Sequence, residues 1–168
     1  TNMLQLSRLE CGTVKPAPQP IMLMPLLERL ADDTHTWSPG TSFDFTGVSP
    51  TSELTADPEF MYQCFTILVS NSVKFAGTNA HITCAGTQDG AVFRITFSDD
   101  GPGFSEESLP HVFERFYRGD TSHNRNAGGA GLGLAIAKVL MTMMHGTIRA
   151  ANTSVHGAEI TLELYNEK

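Results

Sequence analysis

Apolar residues recur along this chain at two spacings, and the switches between them mark out most of its elements. Near the start, Met3, Leu6 and Leu9 stand three apart with Leu4 beside them. That predicts the end of an amphipathic helix, stopped at Gly12. Pro16, Pro18 and Pro20 then break any regular pattern and read as a linker or an edge strand. Leu26, Leu27 and Leu30 suggest a short helix, and residues 42–48 and 52–56 two short strands around a turn at Ser49-Pro50. The next signal is stronger. Asp57 as N-cap, Pro58 at the first helical position and Glu59 in the first turn open a helix over residues 58–75. Met61, Cys64, Phe65, Leu68 and Ser72 mark one of its faces.

After Gly77 the period falls to two. Residues 81–87 and 92–98 predict a hairpin closed by Asp89-Gly90, a pair suited to a tight turn. A loop-rich stretch from 101 to 131 holds one short helical piece near residues 109–116. Residues 132–144 read as a second long helix entered from a glycine cluster, and residues 147–151 and 159–164 as two final strands. Helices interleaved with antiparallel hairpins point to an α+β fold rather than a doubly wound parallel sheet.

Composition narrows the functional classes. A length of 168 residues suits one domain with a real core. No apolar run approaches the roughly 18–20 residues that cross a bilayer, and residues 1–10 lack a secretory pattern, so a soluble protein is expected. A net charge of −7 argues against nucleic acid as a partner and requires any anionic ligand to be held by local groups. Cys11, Cys64 and Cys84 show no metal-ligand spacing; a reducing, cytoplasmic setting fits them.

Four constellations carry chemistry. In Asp99-Asp100-Gly101-Pro102-Gly103, the alternation of Phe93, Ile95 and Phe97 carries Asp99 onto the inward face of its strand. An inward carboxylate needs a donor such as a purine amine, and the glycines permit close approach of backbone to a base; a self-capped turn is the plainer alternative. Gly128-Gly129-Ala130-Gly131-Leu132-Gly133-Leu134 opens a helix, where backbone N–H groups can cradle phosphate or glycine can simply loosen a connector. It matches neither the dinucleotide fingerprint nor a P-loop. Asn71 and Lys74 share a helix face, offering an amide for Mg²⁺ and an ammonium for phosphate, or else an ordinary helix end. Finally, Phe113-Glu114-Arg115-Phe116-Tyr117-Arg118 pairs aromatic anchors with a cation ahead of a polar stretch long enough for a lid.

In this order and separation the four resemble the boxes of the sensor histidine kinase catalytic domain of the GHKL superfamily. Residues 71–75 are similar to its N box, 99–103 to its first glycine box, 113–117 to its F box and 129–134 to its last glycine box. Leu6-Ser7-Arg8-Leu9-Glu10 resembles the tail of the preceding dimerisation helix. The resemblance implies residues 1–12 as that tail, 13–20 as linker and 21–168 as the ATP-binding domain. The implied fold is a two-layer α/β sandwich, a mixed, mostly antiparallel sheet covered on one face by three helices. It implies that Asp99, with Gly101 and Gly103, takes the adenine amine, that Phe75 packs near the base and that Asn71 holds Mg²⁺. Lys74 and Arg118 would balance phosphate charge, with Asn71, Lys74 and Arg118 as the catalytic set. Phe116 and Tyr117 would flank the nucleotide, Gly129, Ala130, Gly131, Leu132, Gly133 and Leu134 would cradle its phosphates, and residues 118–128 would form a lid.

The implied reaction moves the ATP γ-phosphoryl group to a histidine on the dimerisation domain, for relay to a response regulator. No histidine here (35, 81, 111, 123, 145, 156) precedes a Glu as the family's acceptor usually does, so the acceptor is expected N-terminal to Thr1. The chain alone is expected to be a monomer and its parent a homodimer anchored in the plasma membrane. Ile67 departs from the pattern. The family's kinases carry a polar residue four before Asn71 and its ATPases a Glu, and isoleucine can neither activate water nor touch a metal. The alternatives are a non-catalytic interaction module of the same fold, or a GHKL serine kinase or ATPase.

Overall fold

A computed structural model describes residues 2–117 and 131–165. Helix α1 (Asn2–Glu10) leads through the proline-rich stretch into β1 (Gln19–Met22) and α2 (Leu23–Trp37). Strands β2 (Ser42–Gly47) and β3 (Glu53–Ala56) precede α3 (Pro58–Ala76) and the hairpin of β4 (His81–Asp89) and β5 (Val92–Asp99). A 3₁₀ turn (Leu109–His111), α4 (Gly133–Met143), β6 (Thr147–Asn152) and β7 (Ala158–Tyr165) complete the order. The main sheet runs β2-β4-β5-β7-β6, parallel only between β2 and β4, and a two-stranded ribbon pairs β1 with β3.

The period-two positions build the inner face of the sheet. Ile82, Cys84, Phe93, Ile95, Phe97, Ile160, Leu162 and Leu164 are buried together with Leu27 and Leu30 of α2, Phe65 and Leu68 of α3, and Ile136 and Leu140 of α4. Three helices therefore cover one face of a mixed sheet, the expected sandwich. Leu6 and Leu9 of α1 join the same core, against α4, and Glu10 pairs with Arg115.

Element positions follow the sequence pattern closely, with instructive differences. The second helix is longer than the Leu26 to Leu30 spacing indicated, because Leu23, Leu27, Leu30 and Thr34 keep one buried stripe through Trp37. Pro25 sits in its first turn, where a missing N–H breaks no helical bond. The segments at 42–48 and 52–56 are strands but not partners. Ser52 accepts from Leu23 N at 3.0 Å, which turns the second away from the sheet toward β1. The hairpin turn falls one residue later than Asp89-Gly90, since Asp89 pairs with Val92 and leaves Gly90 (φ 61°) and Ala91 as the loop. The helical piece near 109–116 shrinks to three residues, and Phe116 lies in the left-handed region at φ 63°.

Candidate nucleotide site

The C-terminal half of α3 is where the described constellations meet. Asp57 fixes the start of that helix: its Oδ1 accepts from Glu59 N (2.9 Å) and Phe60 N (3.1 Å), while Oδ2 accepts from Ala17 N (2.7 Å) in the proline-rich stretch. Further along, Ile67, Asn71 and Lys74 stand at i, i+4 and i+7, so one stripe carries all three. Each is partly buried. At the upper end of this stripe a Cβ on Gly101 would lie 2.7 Å from the Ala76 Cβ. At the lower end a Cβ on Gly133 would lie 3.5 Å from Ile67 Cγ2. The first glycine constellation thus abuts the end of α3, and the last abuts its middle. Nine residues separate the contacts, about 13 Å of helix, with Asn71 and Lys74 between them.

Asp99 ends β5, continuing the buried series Phe93, Ile95, Phe97, and is itself half-buried. Its Oδ1 accepts from Gly101 N at 3.0 Å and Ala158 N at 3.1 Å. Two donors fill the lone pairs of that oxygen; Oδ2 accepts from no described residue, so it is the atom left to meet a ligand. The self-capped turn is therefore present, made through Oδ1. The glycines of this turn are demanded by the protein's own packing. Gly101 has Ala76 against it, and Gly103 (φ 77°) has Asn152 Oδ1 only 2.7 Å from where a Cβ would stand.

The remaining side chains fall around this axis. Phe75 is 38% exposed, with the Lys74 ammonium 5.5 Å from its ring centroid. Phe116 is 54% exposed; its N–H donates to Gly131 O at 3.0 Å, and no Cβ fits comfortably at Gly131 (φ 73°), 2.9 Å from Tyr117 O. The aromatic and final glycine constellations are thereby joined backbone to backbone. Tyr117 turns its ring to His111 (5.3 Å between centroids) and its hydroxyl to Ser108 (3.3 Å). Leu132 is buried, Leu134 packs on the core, and Gly133 begins α4 with no side-chain cap from Leu132. The first-turn N–H groups there lack a side-chain acceptor, an arrangement suited to an anion. Arg118, Gly129, Ala130 and the expected lid lie outside the described residues.

Sequence reasoning missed the partners that hold the Asp99 turn. Asn152, at the end of β6, accepts from Phe104 N through Oδ1 and donates to Phe104 O through Nδ2, both at 2.7 Å. Gly157 (φ 122°) has no room for a side chain because the Asp99 carbonyl oxygen fills it. The only local signal was an Asn and a Gly flanking a hairpin loop, which turn chemistry alone would explain.

Comparison with known proteins shows the family. Residues 56–168 match the family described as histidine kinase-, DNA gyrase B-, and HSP90-like ATPase. The chain is 34% identical to the signal transduction histidine-protein kinase BaeS of Escherichia coli over 98% of its own length and 35% of that protein's. It is 47% identical to the sensor histidine kinase YkoH of Bacillus subtilis over 49% of its length and 18% of that protein's. It thus spans about a third or less of these relatives. Among solved structures, full-length ShkA in complex with AMPPNP superposes over 99% of this chain and 35% of its own (TM-score 0.82, 25% identity). The mycobacterial sensor histidine kinase MprB shares the fold at TM-score 0.76 and 22% identity, over 88% of this chain and 97% of that one. With the family model matching well over half its length, the chain belongs to the histidine kinase-, DNA gyrase B- and HSP90-like ATPases, as an ATP-binding domain of the sensor histidine kinase type.

Proposed function

We propose that this domain binds Mg-ATP along α3 and presents the γ-phosphoryl group to a histidine on the dimerisation domain of a longer, homodimeric sensor kinase, for relay to a response regulator. The observation that carries the reading is the placement of both glycine constellations on one helix, with an amide and an ammonium between them. A ligand with a purine at one end and phosphates at the other matches that layout. Asp99 Oδ2 accepts the adenine amine beside Phe75. Lys74, with Arg118, balances phosphate charge, and the uncapped start of α4, with Gly131 and Gly133, donates N–H groups to the phosphate oxygens. Residues 1–12 act as the tail of the dimerisation helix, 13–20 as linker and 21–168 as the catalytic domain, cytoplasmic beneath a plasma-membrane-anchored sensor.

The residues present fit a magnesium ion. No three His, Cys, Asp or Glu side chains gather into a metal cluster among the described residues, so an ion here would take most ligands from phosphate and water, as Mg²⁺ does. Asn71 would supply the amide oxygen. The ion would neutralise charge developing on the phosphoryl group. Ile67, one turn below Asn71 and packed toward Gly133, adds no ligand and leaves the ion with a single contact from this stripe. That apolar position also argues against the water-activating ATPase reading.

The test supplies the parent's histidine-bearing dimerisation domain in trans with labelled ATP and Mg²⁺. Label is expected on that domain's histidine and absent with Asn71→Ala. Stable label on any of this chain's own histidines would contradict the assignment.

A further inference from the structure

We infer that Asn152 is a positioning residue for purine recognition, holding the Asp99 carboxylate in register from the edge strand β6. The inference rests on the nucleotide reading above and deepens it. Asp99 ends β5, and the turn that follows leaves the sheet, so nothing in β5 itself fixes where the carboxylate points. Gly101 N in the turn supplies one hold on Oδ1, and the rest of the fixing comes from β6 and β7. Asn152 binds both backbone groups of Phe104, accepting from its N–H through Oδ1 and donating to its carbonyl oxygen through Nδ2, each at 2.7 Å, as a neighbouring strand would. Its Oδ1 also fills the space beside Gly103. Thr153 N donates to Gly157 O at 3.0 Å, closing the loop that carries Ala158, and Ala158 N donates to Asp99 Oδ1 at 3.1 Å.

One amide side chain therefore locks the far end of the 99–104 turn, while the loop it begins delivers a donor to the near end. With Oδ1 held from both sides, Oδ2 is presented in one orientation, at no ordering cost when a base arrives. An asparagine is needed because only a primary amide offers donor and acceptor at the spacing of a peptide edge. Aspartate in its place keeps the bond from Phe104 N and sets a second acceptor against Phe104 O.

The experiment measures calorimetric affinities for ADP and for IDP, whose base carries an oxygen where adenine carries the amine, on the parent, Asn152→Ala and Asn152→Asp. The ADP preference of the parent is expected to fall about tenfold in Asn152→Ala, the worth of a well-held hydrogen bond to a charged group. The loss should be smaller in Asn152→Asp, with IDP affinity within about twofold throughout. A role confined to stability would lower ADP and IDP binding together, and that result overturns the inference, as does an unchanged ADP preference in both variants. A parent that does not distinguish ADP from IDP would instead remove the reading of Asp99 as the purine contact.

Discussion

Two side chains on α3, Ile67 and Asn71, show how much one residue decides here. They stand one turn apart on the same stripe, yet one offers an amide oxygen and the other a methyl group seated against Gly133. Ile67→Asn places a second amide below the first. It is expected to strengthen Mg²⁺-dependent nucleotide affinity about threefold to tenfold, with affinity in chelator unchanged, as one added oxygen ligand to a hard cation should do. Equal Mg²⁺ dependence in parent and variant, measured by calorimetry, would show that the position does not face the ion. Gly103 is sensitive for a different reason. Gly103→Ala meets both a positive φ and the Asn152 amide, and a loss of about 1–3 kcal/mol in denaturant unfolding is expected. Glycine in this constellation was legible from the sequence; what crowds it was not, because Asn152 lies 49 residues downstream of it in the chain and reaches it only through the sheet.

Among the elements, α3 was the most legible, because its cap, its proline and its apolar stripe all agree. Asp57 does more than the cap signature said, since Oδ2 also ties down Ala17. Asp57→Ala removes acceptors for three backbone N–H groups at a buried site. It should cost about 2 kcal/mol, a fall of roughly 4–8 °C in Tm by differential scanning calorimetry. A change under about 1 °C would mean that water replaces the carboxylate without loss. The strands were legible as strands but not as partners. Period two places Phe43 and Phe45 on one face, yet it carries no information on whether β2 pairs with β3 or, as found, lies parallel to β4. Ladder partners are set by contacts distant in sequence, and a single chain's pattern does not encode them.

For the molecule as a whole, burial sets an alkaline limit. Burial pushes the Cys64 thiol up to about 12 and raises Cys84 as well, with Asp44 adding to the second. Both groups keep their protons in the fold at pH values where an unfolded chain, with thiols near the ordinary 9.0, has lost them. The unfolded state then binds fewer protons, so stability is full below about pH 8.5 and falls as pH rises toward the folded values. Denaturant midpoints are expected to drop between pH 8 and pH 10, and less steeply in a Cys64→Ala/Cys84→Ala variant; parallel slopes would remove the thiols as the cause. The sandwich and its three helices follow from periodicity and burial, and two glycine constellations distant in sequence are brought to one helix. What joins these levels is the carboxylate at the end of β5. Calorimetric titration of Mg-ATP into the parent and into Asp99→Asn tests it most directly. The account predicts binding by the parent and an affinity about tenfold to a hundredfold weaker in the variant, the worth of a hydrogen bond to a charged group. Equal affinity in the two proteins, or no binding by the parent, would contradict it.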